Sequence, residues 1–436
     1  MTNNINTAAE NFGKLLMPDG SEYTKDSRKT GLNNNVAVIG PSGCGKSSVM
    51  GVLNSLSSGG SLIISDPKGG LYRTLNGVLR QMGYRVLKLD FTHPENSMHY
   101  EPLSYIRSTQ DIRKIAHSLV FGVNARQKSL SRDPYWENSA ESLLCAFIGL
   151  FYERRDPDIS LIKIMDLLSR FTPYEDLDEE RLDGKPVYID FHFHERAMKE
   201  RNGEESWACK MFRPFKSLSE RTLSCVISTL TSLLTSFEGN ELAEMFINGK
   251  FDFTSLSREK TVIFVIVSDT DRSNDTLANL FYSQAMNELC DHADNRCENG
   301  RLPMSVTFIL DDFATNCRIA NFDNIISNIR ARNISTIIML QSIGQLDEGY
   351  GASAQTILNN CDTLIFMGAN SSADASYFAE KANKPLHAML EMKLFTSWIF
   401  RRTEKPRMVQ NIIPDEYLSE VVRSLHKQSI ASYEQE

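Results

Sequence analysis

Two kinds of apolar pattern alternate along the chain. A β-branched run at 36–39 and further runs at 62–65 and 85–90 are strand-length, and between them come a helix opening at Lys46 and a helix-periodic stretch at 71–82. The same alternation returns from 261, with strands expected at 262–267, 306–310, 334–340 and 363–367. The intervening helices are expected at 275–294, 322–332, 354–360 and 373–382. Strands separated by helices predict parallel pairing and a sheet covered on both faces, an α/β fold. Runs at 397–401 and 408–412 flank a charged turn holding Pro406 and predict a hairpin on the sheet edge.

Between 108 and 256 the pattern is helical instead. Leu143, Leu144, Phe147, Ile148 and Phe151 recur at helical spacing within 136–152, and a second such stretch runs over 223–237. The charged stretch 176–185 and the polar 201–206 read as loops, and residues 1–30 as a polar lead-in segment. The expected organisation is therefore an α/β domain built from 31–107 and 257–436, interrupted by an all-α domain at 108–256. His192 and His194 alternate at i, i+2 and predict a shared strand face, with both read as solvent-facing or packed.

The first strand leads into candidate chemistry. It opens into Gly40-Pro41-Ser42-Gly43-Cys44-Gly45-Lys46-Ser47-Ser48, in which Gly40, Gly45, Lys46 and Ser47 match G-x-x-x-x-G-K-[ST], the P-loop. Glycines let successive backbone N–H groups surround phosphate oxygens, and the helix N-terminus beyond adds partial positive charge. The nine residues Gly40 to Ser48 are thus expected to hold the phosphates of ATP. Lys46 would reach the β- and γ-phosphates, and the Ser47 hydroxyl would ligate Mg²⁺.

A P-loop needs a carboxylate at the tip of a neighbouring strand. The run 306–310 ends in Asp311-Asp312, a Walker B pattern: Asp311 is assigned to the metal and Asp312 to the attacking water. The strand 334–340 ends at Gln341, which beside the Walker B strand would emerge near the γ-phosphate. Arg330 and Arg332 lie on a helix whose other face carries Ile325, Ile326 and Ile329, and an exposed arginine there can reach a neighbouring subunit's site as a finger.

Composition narrows the partners. With 47 Lys and Arg against 55 Asp and Glu in 436 residues, the formal net charge is −8, so no bulk basic field attracts nucleic acid and any such contact is local. The longest apolar runs are far short of the ~18–20 residues needed to span a bilayer. Eight scattered cysteines without a C-x-x-C pair suit a reducing compartment, and Cys290 and Cys297 around His292 fit no zinc spacing. Lys210-Met211-Phe212-Arg213-Pro214-Phe215-Lys216 interleaves cations and aromatics. That combination suits phosphate clamping and base stacking, or else an amphipathic helix start with a solvated basic face, which is the preferred reading.

The ordered set of motifs resembles the type IV secretion coupling proteins, the conjugative DNA-transfer ATPases, over about 30–410. It comprises Gly40 to Ser47, Asp66-Pro67-Lys68-Gly69, Asp133-Pro134-Tyr135-Trp136, Asp311-Asp312-Phe313-Ala314, Arg330, Gln341-Ser342 with Gln345-Leu346, and Asn359-Asn360 before the strand with Gly368. The resemblance implies a RecA-like nucleotide-binding domain with an inserted all-helical domain, ATP and Mg²⁺ as cofactors, and a homo-hexameric ring, with a monomer in isolation left open. It implies single-stranded DNA with attached relaxase, or protein effectors, as cargo, and the secretion channel's ATPases and membrane components as partners at the cytoplasmic face of the bacterial inner membrane. Lys46, Asp312, Arg330 (in trans) and Gln341 (as sensor) take the catalytic roles, with Ser47 and Asp311 on the metal.

Three departures from the family pattern stand out: Asp312 where Glu is usual, Gly70 where Glu is common, and no N-terminal transmembrane helices. Two other readings are a double-stranded DNA pump of the chromosome-partition or packaging type, and a nucleotide-binding recruitment adaptor with little hydrolysis.

Overall fold

The computed structural model describes residues 13–123, 134–171 and 186–433, apart from 204, 238, 248 and 316. Nine strands form one sheet: β3 (Val36–Ile39), β4 (Ser61–Ser65), β5 (Arg85–Asp90), β6 (Thr261–Ile266), β7 (Val306–Leu310), β8 (Ile334–Leu340), β9 (Thr363–Phe366), β10 (Thr396–Arg401) and β11 (Arg407–Gln410). Their order is β11-β10-β9-β3-β8-β7-β4-β6-β5. The run from β9 through β3, β8, β7 and β4 to β6 is parallel, and β10 and β11 add an antiparallel edge, the expected hairpin. Every residue of β3, β4, β6, β7, β8 and β9 is buried, which is why these strands read as unbroken apolar runs rather than alternating ones.

The chain divides into two compact units, Met1–Lys88 with Asp252–Asp269 and Ala285–Glu436, and Leu89–Phe251 with Thr270–Gln284. Apart from the last two residues of β5, the described residues of the second unit form helices and turns. Its limits differ from the expected 108–256 because Tyr100, in the segment after β5, packs edge-to-face on Phe281 at 5.1 Å and donates to Gln284 at 2.6 Å. Gln284 in turn donates to the Pro102 carbonyl at 2.8 Å. The helix Asp275–Arg296 thereby lends its first half to the second unit. No helix among the described residues is long and apolar enough to cross a membrane.

Several expectations are corrected. Residues 13–30 are not a loose lead-in: β1 (Lys14–Leu16) and β2 (Glu22–Thr24) pair antiparallel. Buried Asn54, on the helix Val52–Ser57 that continues from the P-loop, exchanges hydrogen bonds of 3.0 Å each way with the Leu16 backbone. His192 and His194 lie on the helix Pro186–Asn202, not on a strand. Two residues apart on a helix is two faces, so His192 is exposed while buried His194 meets Glu153 at 2.8 Å. That same helix covers the start of the expected loop 201–206. The expected loop at 176–185 and Asp133 lie outside the described residues.

The neighbours of the cation-aromatic segment settle its character. Lys210 and Arg213 both pair with Glu205, Lys216 reaches Glu195 at 3.8 Å, and Phe212 and Phe215 are core residues. With its rings buried and its cations partly neutralised, the segment offers no stacking platform.

Candidate nucleotide site

Parallel pairing brings the carboxyl ends of β3, β4, β6, β7 and β8 to one edge, and backbone hydrogen bonds carry the pairing into the loops beyond. Gly40 N–H donates to the Leu340 carbonyl at 3.1 Å, Asp66 N–H to Val265 at 2.9 Å and Phe313 N–H to Met339 at 2.9 Å. The P-loop, the 66–69 motif and the two acids are thereby fixed relative to one another. The Walker B strand is not the immediate neighbour of β3 as expected: β8 lies between β3 and β7 and puts Gln341 between the P-loop and the acids.

Glycine is required in the P-loop for two reasons. Gly43 and Gly45 have φ of 78° and 95°, the left-handed region that side chains disfavour. At Gly40 a Cβ would fall 2.7 Å from Cys44 Sγ and 3.0 Å from Met367 Cβ. The helix beyond opens with a wide π turn over Ser47–Gly51. Lys46 is buried, and its ammonium donates to the carbonyls of Gly40 at 2.7 Å and Pro41 at 2.9 Å. Pro41, Ser42, Cys44 and Ser48 complete the loop, Ser42 and Ser48 exposed.

Across the edge, the Ser47 hydroxyl donates to Asp311 Oδ2, joining the two groups assigned to one metal ion. Burial pushes the Asp311 carboxyl above its ordinary range; the Ser47 hydrogen bond opposes that shift and the Asp312 charge adds to it. Asp312 stands at φ 48°, a left-handed conformation uncommon outside glycine, and accepts from Gln341 Nε2 at 3.1 Å. The turn is anchored by Phe313, buried and stacked on Tyr350 with ring centroids 5.3 Å apart. Lys46, Ser47, Asp311, Asp312 and Gln341 are thus brought to one edge of the sheet.

Arg330 is not. It lies in the tight turn Ile329–Arg332 that precedes β8, at the opposite edge of the sheet. Seven strand residues separate it from Gln341, roughly 23 Å of extended chain. Its guanidinium therefore cannot serve the P-loop of its own chain.

The Asp66-Pro67-Lys68-Gly69 motif shapes the same edge from β4. Asp66 accepts the N–H groups of Leu71 at 3.0 Å and Tyr72 at 2.7 Å, capping the helix Gly70–Gln81. Burial raises its carboxyl to about 6 against these hydrogen bonds, with the nearby Asp311 charge adding to the rise. Lys68, at φ 72°, pairs with Asp269 at 2.6 Å and feels the charge of Asp312. Asp269 was missed because its only sequence signal is an acid three residues past a strand, and β6 could not be placed beside β4 without the strand order.

A family model described as type IV secretory system conjugative DNA transfer matches residues 3–384. Among solved structures, the unbound bacterial conjugative coupling protein TrwBdeltaN70 is similar at TM-score 0.64 and 15% identity, covering 92% of this chain and 89% of that one. The plasmid coupling protein TrwB in complex with ADP and Mg²⁺ gives TM-score 0.63 at the same identity and coverage. VirB4 of Thermoanaerobacter pseudethanolicus gives 0.52 at 15% identity, with 92% and 95% covered. No curated protein matches in a sequence comparison.

Proposed function

Because the chain belongs to the type IV secretory system conjugative DNA transfer family, we propose that it is an ATP-hydrolysing coupling protein. Its cargo would be single-stranded DNA with attached relaxase, or protein effectors, delivered to a type IV secretion channel. The observation that carries the reading is the hydrogen bond from Ser47 to Asp311, with Asp312 held by Gln341 beside it. A hydroxyl and a carboxylate in direct contact form an oxygen donor pair that suits Mg²⁺. The relative TrwB has been solved with ADP and Mg²⁺ and with a non-hydrolysable ATP analogue.

Bound there, Mg²⁺ would neutralise charge on the β- and γ-phosphates. The chain's own residues do the rest. Phosphate oxygens replace the Gly40 and Pro41 carbonyls as partners of Lys46, and the N–H groups of the loop surround them. Asp312 accepts a proton from the attacking water, oriented by the Gln341 amide on its Oδ1. Arg330 would act on the nucleotide of a neighbouring copy in a homo-hexamer, with the assembly peripheral at the cytoplasmic face of the inner membrane.

The test is steady-state ATP hydrolysis with and without single-stranded DNA, using Lys46→Ala as control. Turnover that rises with DNA and vanishes in the variant, whose circular dichroism stays unchanged, is the expected result. Undiminished turnover in Lys46→Ala would remove the site assignment. Tight ATP binding without turnover under any condition would favour a recruitment adaptor.

A further inference from the structure

Where β7 and β8 begin, at the edge of the sheet opposite the P-loop, a small pocket of about 10 Å³ lies among Lys25, Ser27, Asn34, Ser305, Arg330 and Ser335. Its lining is cationic and rich in donors. Lys25 is buried, and two of the three N–H groups of its ammonium are committed, to Ser58 Oγ at 3.1 Å and Thr307 Oγ1 at 2.8 Å. Thr307 Oγ1 in turn lies 3.2 Å from Ser335 Oγ. Ser305 Oγ is buried with no hydrogen-bond partner among the described residues, an orphan that native interiors rarely leave. No acid is among the described residues that line the pocket, and the second charged group there, Arg330, is also a cation. The adjacent Asp26 is turned to Arg28, whose backbone N–H it accepts at 3.1 Å and whose side chain it meets at 3.3 Å. The Lys25 ammonium thus stands buried without a counter-charge, and burial lowers it to about 7 with no charged neighbour opposing the fall.

We propose that this pocket binds one small monatomic anion of the chloride class, held between the third N–H of Lys25 and the hydroxyl of Ser305. A buried charge without a counter-charge costs far more than a missing hydrogen bond, and a halide supplies counter-charge and acceptor at once, whereas a water supplies only the acceptor. The volume, about that of one water-sized sphere, excludes phosphate and sulfate. A route in is present. The pocket shares Ser27, Arg330 and Asn333 with a wider cavity of about 930 Å³, around which Arg28, Arg258, Arg296, Arg301 and Arg330 gather and whose positive field draws anions inward. Binding is linked to protonation, since only the ammonium form of Lys25 holds the ion. The bound anion therefore tightens the hold of Lys25 on its proton and flattens the rise of stability with pH that the buried amine otherwise causes.

The test is urea unfolding of the full chain at pH 6 in sodium chloride against sodium gluconate of equal ionic strength, gluconate being too large for the pocket. Chloride is expected to raise the urea midpoint of the wild type by an amount that grows with the logarithm of its concentration, and to leave Lys25→Met unmoved. At pH 10, where burial leaves Lys25 neutral, the two salts should give one curve. Ser305→Ala keeps the ammonium and should need about three- to tenfold more chloride for the same shift. Equal midpoints in the two salts at pH 6, or an equal chloride effect in Lys25→Met, overturns the proposal. A crystal grown in sodium bromide gives a readout independent of stability. An anomalous peak within hydrogen-bond reach of Lys25 Nζ and Ser305 Oγ is expected, and its absence, with water alone in the pocket, also overturns the assignment.

Discussion

Lys25 shows how a single residue sets a pH dependence. It is fully buried, donating to Ser58 Oγ at 3.1 Å and Thr307 Oγ1 at 2.8 Å, and burial lowers its ammonium to about 7. Between pH 7 and 10.5 the unfolded chain therefore binds more protons at this position than the folded one, so stability rises with pH across that window. The full effect has a ceiling of about 5 kcal/mol. Denaturant unfolding at pH 7 and pH 9 should show the wild type gaining stability relative to Lys25→Met, and parallel curves for the two would refute the assignment. Nothing in the sequence marks Lys25 as buried. Its neighbours Thr24 and Asp26 are polar, and it is carried inside by the pairing of β1 with β2 and by the hydroxyls that Ser58 and Thr307 bring from distant segments.

Among elements, the strands were the most legible, because a buried parallel strand is a short apolar run with hard ends. Val36–Ile39, Val306–Leu310 and Ile334–Leu340 lie where the pattern puts them, as does the less buried Arg85–Asp90. The helix Ile343–Tyr350 was missed, although its signal was present. Ser342 caps it by accepting the Gln345 N–H at 3.2 Å, while Gln345 reaches back to the Gln341 N–H at 3.2 Å, a variant of the capping box. Its few apolar positions hid it, since only Leu346 and Gly349 are buried. Asn35 is the element-scale joint: its amide donates to the Asn360 carbonyl at 3.0 Å and accepts the Thr336 N–H at 3.1 Å, tying β3 to β8 and to the helix Ala354–Asn359. Asn35→Ala removes the partner of the buried Thr336 N–H, while the Asn360 carbonyl keeps the Asn33 amide at 3.1 Å, and should cost about 1–3 kcal/mol in urea unfolding. An unchanged midpoint would mean that the joint contributes nothing to stability.

At the scale of the whole molecule, the decisive fact is that Arg330 and the P-loop occupy opposite edges of one sheet. An arginine so placed is out of reach of its own P-loop, so the proposed part in hydrolysis requires a second copy. Arg330→Ala is expected to lose at least tenfold in turnover where the chain assembles, with no change in dilute chain. Mixing it with Lys46→Ala should restore activity, because an intact P-loop in one copy then faces an intact arginine in the next. Mixtures as inactive as either parent would show that Arg330 does not act between copies.

Local chemistry could be read from the residues alone: the P-loop, the paired acids, the strand that ends in Gln341, and the α/β alternation. Each is written in residues close together in the chain, where backbone reach and apolar period decide the outcome. The strand order, which sets Gln341 between the loop and the acids, belongs to the folded molecule. So do the pairing of Lys68 with Asp269, the burial of Lys25, and the gathering of arginines from 28, 258, 296, 301 and 330 around one cavity. These are contacts between segments tens to hundreds of residues apart, and no local preference encodes which of many compatible packings brings them together.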